Sequence, residues 1–524
     1  MASADGSALV PGPDPPHAGA HFRIERLPLA KEPGVTRVVC LGDSTVHGHP
    51  FDPPAPFADW LAARLPLLLP GRRFEVVNLG VNGMDSEAVA DLAEELAPLA
   101  PDLAIVYVGH NEFLDQHLGK SVRPSSHALQ RALRHSWFLR WLAQHGGGGG
   151  ATGGAGDGGD RDRELVAQLR QRGALDATPL LAPEWIERTH ARYHASLQRT
   201  ARALRDAGAR TLFCRPLCDL ADTPPQRSTL PADCSEAERA ALAEQLRSAP
   251  EALVAALPDR AAWRARWSTV AAVRYALGRA ALLRGDTDEA RRELEAARDL
   301  DGHPVRATAA LLAELDRLVA EEPLLLVDPW PALFAAAGPR GVAGQDGWFV
   351  DYVHPDLRGH ELLADVLLHA LADAGWLAPR PEWSFTDEPP RDETARRMGL
   401  TLAAQATSLA RRGLFALGQA YLDPESELAK GAADSFERAL RLDPDCAQGY
   451  AGRGALALLR GDGATALAAF REAERRDARA LDSFVEGHAS NATIRELFAR
   501  AGVTVRDGRL VPVEGGPPPP SSQR

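Results

Sequence analysis

Ser44 stands at the end of a short apolar run, within "RVVCLGDSTVHGH" (Arg37–His49), on a Gly42-Asp43-Ser44 turn. A serine hydroxyl is a weak nucleophile unless a neighbouring base takes its proton as it attacks. A candidate base lies far along the chain: His354, three residues after Asp351 in "GWFVDYVHPD". An imidazole can accept the proton, and a nearby carboxylate can fix its tautomer and stabilise the imidazolium. The spacing of three predicts a helical turn that puts Asp351 and His354 on one face. A tetrahedral intermediate also needs hydrogen-bond donors for its oxyanion. The Ser44 and Gly80 backbone N–H groups and the Asn111 amide, in "NLGVNG" and "GHNE", are the candidates. Glycine at position 80 is expected to let the backbone approach a substrate closely.

These residues need a scaffold that brings distant loops together. Short β-branched and aliphatic runs occur at 36–42, 74–80, 102–109, 209–216 and 323–329. Helical patterns separate them, at 57–69, 86–100 and 183–208, with another at 359–375. Continuous apolar strands alternating with helices predict an α/β domain over residues 23–380: a doubly wound, parallel, five-stranded sheet covered on both faces. Ligands in open α/β sheets bind beyond the carboxyl ends of the strands. The loops bearing Ser44, Gly80, Asn111 and the Asp351–His354 pair all follow predicted strands, so the sheet itself predicts their convergence.

Each residue also has a plainer reading. Ser44 could be a helix N-cap and Asn111 a helix cap, while Gly80 and Gly83 suit turns. Asp43 reads as a structural hydrogen-bonding residue. His47, His49 and His110 lack a carboxylate or cysteine at ligand spacing, so they read as pocket-lining side chains and no metal is expected. No G-x-S-x-G elbow and no G-x-G-x-x-G follows a strand.

A chain of 524 residues is too long for one core, so further units are expected. An apolar fraction of 45% with 25% charged residues is that of a globular protein. The formal charge of -12 argues against nucleic acid as a partner. Five scattered cysteines imply no disulfide framework. No run is long enough to span a bilayer. The first residues lack the basic start and apolar core of a secretory leader, so a cytoplasmic location is expected. Residues 1–22 read as a disordered arm, 146–160 as a flexible Gly-rich loop and 501–524 as a tail.

A repeat is visible as well. Ala432, Phe436 and Ala439 recur as Ala466, Phe470 and Ala473, each 34 residues on. Tyr450 and Gly454 accompany the second copy, and Leu417, Gly418, Tyr421 and Pro444 the first. Leu277, Gly278, Ala290, Leu294 and Ala297 fit the same pattern within the helical stretch 236–320, which interrupts the α/β alternation. The pattern resembles tetratricopeptide repeats, in which small residues let paired helices approach while Phe or Leu fills the gap. An all-α tetratricopeptide-like domain is therefore expected over 395–500, and one helical hairpin inserted into the α/β domain. A protein or peptide partner is expected for the C-terminal repeats, and packing against the α/β domain for the inserted hairpin.

The blocks Gly42-Asp43-Ser44, Gly80, Gly109-x-Asn111 and Asp351-x-x-His354, in that order, resemble the SGNH/GDSL hydrolase superfamily over about residues 36–375. The resemblance implies a flavodoxin-like sheet and ester hydrolysis without metal or cofactor. It implies Ser44 as nucleophile, Gly80 and Asn111 as oxyanion donors, and Asp351 and His354 as the rest of the triad. It also suggests a short O-acyl group, such as acetyl on a saccharide. Glu112 departs from the aspartate that many members carry there, and the "GHNE" form is similar to that of bacterial members with tetratricopeptide repeats. Two rival readings stand beside hydrolysis. One is an O-acyltransferase using the same triad. The other is an interaction scaffold with an inactive hydrolase fold.

Overall fold

The computed structural model describes residues 7–10, 26–51, 56–113, 174–176, 181–247, 260–344, 347–377, 391–419, 427–482, 484–485, 492–506 and 509–513. Five strands form the central sheet: β1 (Val35–Gly42), β2 (Arg73–Asn78), β3 (Leu103–Tyr107), β4 (Arg210–Cys214) and β5 (Leu325–Val327). Their order is β2-β1-β3-β4-β5 and every neighbouring pair is parallel. All five lie within the runs expected from the sequence or overlap them closely, and most are shorter because the last residues of each run turn into the loops.

Alternate strand residues divide between two cores, as the period of two requires. Val38, Cys40, Ile105, Tyr107, Leu212 and Cys214 face one side. There they meet α1 (Ser44–His47), through Val46, and α2 (Phe57–Leu68). Val39, Leu41, Ala104, Val106 and Phe213 face the other side. They pack against α3 (Ser86–Glu94) and the long α4 (Pro183–Asp206). Strands buried on both faces need apolar residues at every position, which explains their unbroken runs.

The stretch between β4 and β5 carries α5 (Glu236–Arg247), α6 (Arg260–Arg266), α7 (Ala271–Arg284), α8 (Thr287–Asp299) and α9 (Ala309–Glu321). Helices α7 and α8 are the inserted hairpin. A Cβ on Gly278 would lie 2.6 Å from Leu294, so the glycine is what allows the two helices their close contact. The hairpin is part of the α/β core, since Ala281, Ala290 and Leu294 belong to the α2 side. Arg306, in the loop after α8, donates to the Asp219 and Thr223 carbonyls and pins the insertion to the segment after β4. After β5 come α10 (Trp330–Ala336) and α11 (Leu357–Asp373), the latter again on the α2 face.

The C-terminal region holds α12 (Arg391–Met398), α13 (Leu402–Gln419), α14 (Glu427–Leu442), α15 (Ala447–Leu459), α16 (Gly463–Arg476) and α17 (Ala492–Arg500). Phe436 fills the space above Gly413 and Gly452, and Phe470 that above Gly454. In the first of these layers Gly413 is the glycine under Phe436; the side chain environment of Gly418 lies outside the described residues.

A short antiparallel strand pair lies near each chain end. Ala8 and Leu9, within the expected disordered arm, pair antiparallel with Pro28 and Leu27, whose leucine is buried against the sheet. In the expected tail, Val503–Arg506 pairs with Arg509–Pro512, and Val503 is buried beside Phe470. Apolar residues in each stretch find a partner surface, which composition alone does not reveal. The Gly-rich segment 146–160 lies outside the described residues. Among the described residues no helix is long and apolar enough to cross a membrane.

Candidate active site

β1 and β3 are neighbours, while β1 also pairs with β2 on its other side, so the chain reverses its winding direction at β1. That switch point is where an α/β sheet opens a crevice at its carboxyl edge. Ser44 sits there as the first residue of α1. Its N-cap is Asp43, whose Oδ1 accepts the Thr45 N–H at 2.9 Å. Asp43 is wholly buried, and burial raises its pKa to about 6. The Ser44 N–H belongs to the first helical turn, where backbone donors have no intrahelical acceptor.

His354 approaches from the loop after β5. Its Nε2 lies 2.7 Å from Ser44 Oγ and its Nδ1 2.8 Å from Asp351 Oδ2. The Asp351–His354 segment is a tight turn, not the helical turn expected. Asp351 Oδ1 accepts the N–H groups of Val353 and His354, at 2.9 and 2.8 Å. One carboxylate oxygen thus shapes the backbone and the other orients the ring. Burial alone would lower the His354 pKa, but the charge and hydrogen bond of Asp351 outweigh it and leave it raised. Burial opposes ionisation of Asp351 too, yet His354 and the two backbone donors hold its pKa below the usual value. The result is a base matched to a stable carboxylate, able to take the Ser44 proton and return it to a leaving group.

Asn111 follows β3, and its Nδ2 donates to the Met84 carbonyl at 2.9 Å. An amide nitrogen has two hydrogens, so this bond fixes the side chain while leaving a second donor. Glu112, next in sequence, is buried and accepts from both the N–H and the hydroxyl of Ser86. Arg192 donates to its carbonyl. The two residues therefore clamp the loop after β3 onto the start of α3. Burial, with the nearby charge of Asp85, pushes Glu112 to about 8.

Gly80 does not face the site as expected. Its N–H donates to Asn78 Oδ1 at 2.9 Å. A Cβ there would lie 2.2 Å from the His47 nitrogen, so the close approach it permits is to α1 and not to a substrate. Asn78 also donates to the Val46 carbonyl at 2.7 Å, and so ties β2 to α1, the helix that carries Ser44. Gly83, further along the same loop and in the left-handed region at φ 73°, has an N–H with no acceptor among the described residues. It adjoins Met84, the residue that anchors Asn111.

The histidines read from sequence as pocket-lining take different positions. His49 packs edge-to-face on His354, with ring centres 5.0 Å apart. Burial and the neighbouring His354 lower its pKa to about 3. His110 is buried, and its Nδ1 accepts the Ala307 N–H, linking the insertion to the β3 loop. Two residues near Ser44 and His354 were not anticipated. Asn78 was visible as the one polar residue closing an apolar strand. Phe415, on α13, lies beside His354 and left no sequence signal.

Residues 40–362 match the model of the GDSL-like lipase/acylhydrolase family, which is more than half of the chain. The chain belongs to that family. As a GDSL-like protein it is an ester-hydrolysing enzyme. No curated protein matches it significantly. Solved structures similar to this GDSL-like chain include a mutant acetyl-xylooligosaccharide esterase from Geobacillus Stearmophilus. It is 12% identical with a TM-score of 0.30, and the match covers 64% of this chain and 94% of that one. A GDSL-like lipase from Bacteroides thetaiotaomicron is 12% identical at 0.26, covering 65% and 89%. An extracellular lipase from Streptomyces rimosus is 13% identical at 0.27, covering 64% and 99%. The assignment rests on the family match.

Proposed function

We propose that the enzyme cleaves a carboxylic ester carrying a short acyl group, with O-acyl groups on saccharides as the substrate class. Ser44 attacks the carbonyl, His354 takes its proton and delivers it to the departing alcohol, and Asp351 stabilises the imidazolium. The acyl group then sits on Ser44 Oγ until water, deprotonated by His354, releases the acid. The oxyanion is held by the Ser44 N–H and the Asn111 amide. Gly83 N–H, which has no acceptor among the described residues, takes the place of the engaged Gly80 N–H. The observation that carries this reading is the unbroken hydrogen-bond chain from Ser44 through His354 to Asp351.

Hydrolysis of aryl esters from acetate to decanoate, by wild type and Ser44→Ala, tests it. The expected result is turnover that favours short chains and falls by about 10⁴-fold or more in the variant, with an acyl adduct on Ser44 by mass spectrometry. A folded wild type without turnover or adduct would sink the reading. The second reading is acyl transfer by the same residues to a sugar hydroxyl, which requires a site that excludes water but admits the acceptor. An adduct released by added sugar but not by water selects it.

A further inference from the structure

The C-terminal helices reach the active site. Helix α13 presents one side to α14, where Gly413 lies under Phe436. From another side it sends Phe415 against His354, ring centres 5.8 Å apart and planes at 84°. The same ring packs edge-to-face on His49 at 4.9 Å. Phe415 also joins Phe51, Val350 and Leu357 in a small apolar cluster. One turn before it, Arg412 lies 4.0 Å from Asp356, the residue that caps α11 immediately after the His354-Pro355 pair. An ion pair and an aromatic contact thus fix α13 to the loop that carries the base.

We infer that Phe415 is a specificity-determining residue, and that the repeat-bearing region thereby supplies part of the substrate pocket of the α/β domain. The inference rests on the esterase reading, and chemistry says which half of the ester it meets. In the first step His354 Nε2 gives the proton it took from Ser44 to the alcohol oxygen as the C–O bond breaks, so the alcohol must lie against that imidazole. A ring packed on the imidazole borders the alcohol half and not the acyl half. With His49, which burial keeps uncharged, Phe415 makes an apolar aromatic boundary there. Such a boundary limits the bulk of the alcohol.

The full-length Phe415→Ala variant tests this, with Phe415→Leu as the milder change that keeps the apolar packing. Acetate esters of ethanol, phenol and 1-naphthol vary the alcohol at constant acyl group. Phe415→Ala is expected to raise the naphthyl-to-ethyl ratio of kcat/KM by about tenfold, the scale of discrimination set by pocket contacts, with Phe415→Leu between. The ratio between nitrophenyl acetate and hexanoate, which varies the acyl group, is expected to stay put. A shift in the acyl ratio, or in neither, overturns the inference. A second readout does not depend on turnover: carbethoxylation of His354 by diethylpyrocarbonate, followed by peptide mass spectrometry. Opening the wall is expected to speed modification of His354 several-fold, and an unchanged rate overturns the inference whatever becomes of the esterase reading. Absence of ester turnover in wild type would count against that reading alone.

Discussion

Asp351 holds His354 twice, through the backbone N–H with Oδ1 at 2.8 Å and through ring Nδ1 with Oδ2 at 2.8 Å. The first contact sets where the turn places the ring, and the second sets which tautomer the ring adopts. Replacing Asp351 by Asn keeps a backbone acceptor but favours the wrong tautomer. A loss of about 10⁴-fold in kcat is expected, with a lowered melting temperature where the imidazole is charged. Steady-state kinetics beside a melting curve measures both.

The raised pKa of His354 has a direct pH consequence. The base must be neutral to accept the Ser44 proton, so kcat/KM should rise with pH and reach half its plateau above 6.5, the ordinary histidine value. Stability carries the opposite sign. The Asp351–imidazolium pair contributes fully below the unfolded pKa, and that contribution is lost as pH rises through the folded one. A pH–rate profile with its midpoint below 6.5 would contradict the assignment of His354 as the titrating base.

Gly80 and Asn111 should separate cleanly. Gly80→Ala keeps the N–H but drives a Cβ into α1, and overpacking of this kind costs about 1–3 kcal/mol. Its denaturation midpoint should fall, and activity with it, because α1 carries Ser44. Asn111→Ala removes the donor proposed for the oxyanion and should lower kcat by about 10²–10³-fold. Urea unfolding and kcat, measured on both variants, distinguish a packing role from a catalytic one.

Glu112 provides a test of the clamp behind Asn111. With a folded pKa of about 8 against 4.5 in the unfolded chain, the native state keeps a proton that the unfolded state gives up. Stability should therefore decline as pH rises from about 4.5 to about 8. Glu112→Gln can still accept the Ser86 N–H and donate to its hydroxyl, so it should fold and should flatten this decline. Unfolding free energies at the two ends of that window, for both proteins, give the comparison. An equal decline in the variant would assign the titration to another group.

The sequence by itself determined the strands and the identity of the triad candidates. Unbroken runs such as Val38–Leu41 can only be buried on both faces, and the loops after such strands must gather at one edge. Ser44, Asn111, Asp351 and His354 were legible because their types and their places after strands agree. What the sequence left open depends on which atoms meet after folding. Gly80 and Gly83 look alike as letters in "NLGVNG". Only the fold shows that Asn78 engages the first N–H, and that α1 occupies the space where a Gly80 Cβ would stand. The Asp351–His354 spacing suits a helix, yet two backbone bonds to one carboxylate oxygen make it a tight turn. Phe415 has no signal of its own in the sequence, because periodicity reports which residues share a helix face and not what that face covers. Its place against His354 was decided by the docking of α13 on the loop after β5, a contact between distant segments that no local pattern encodes.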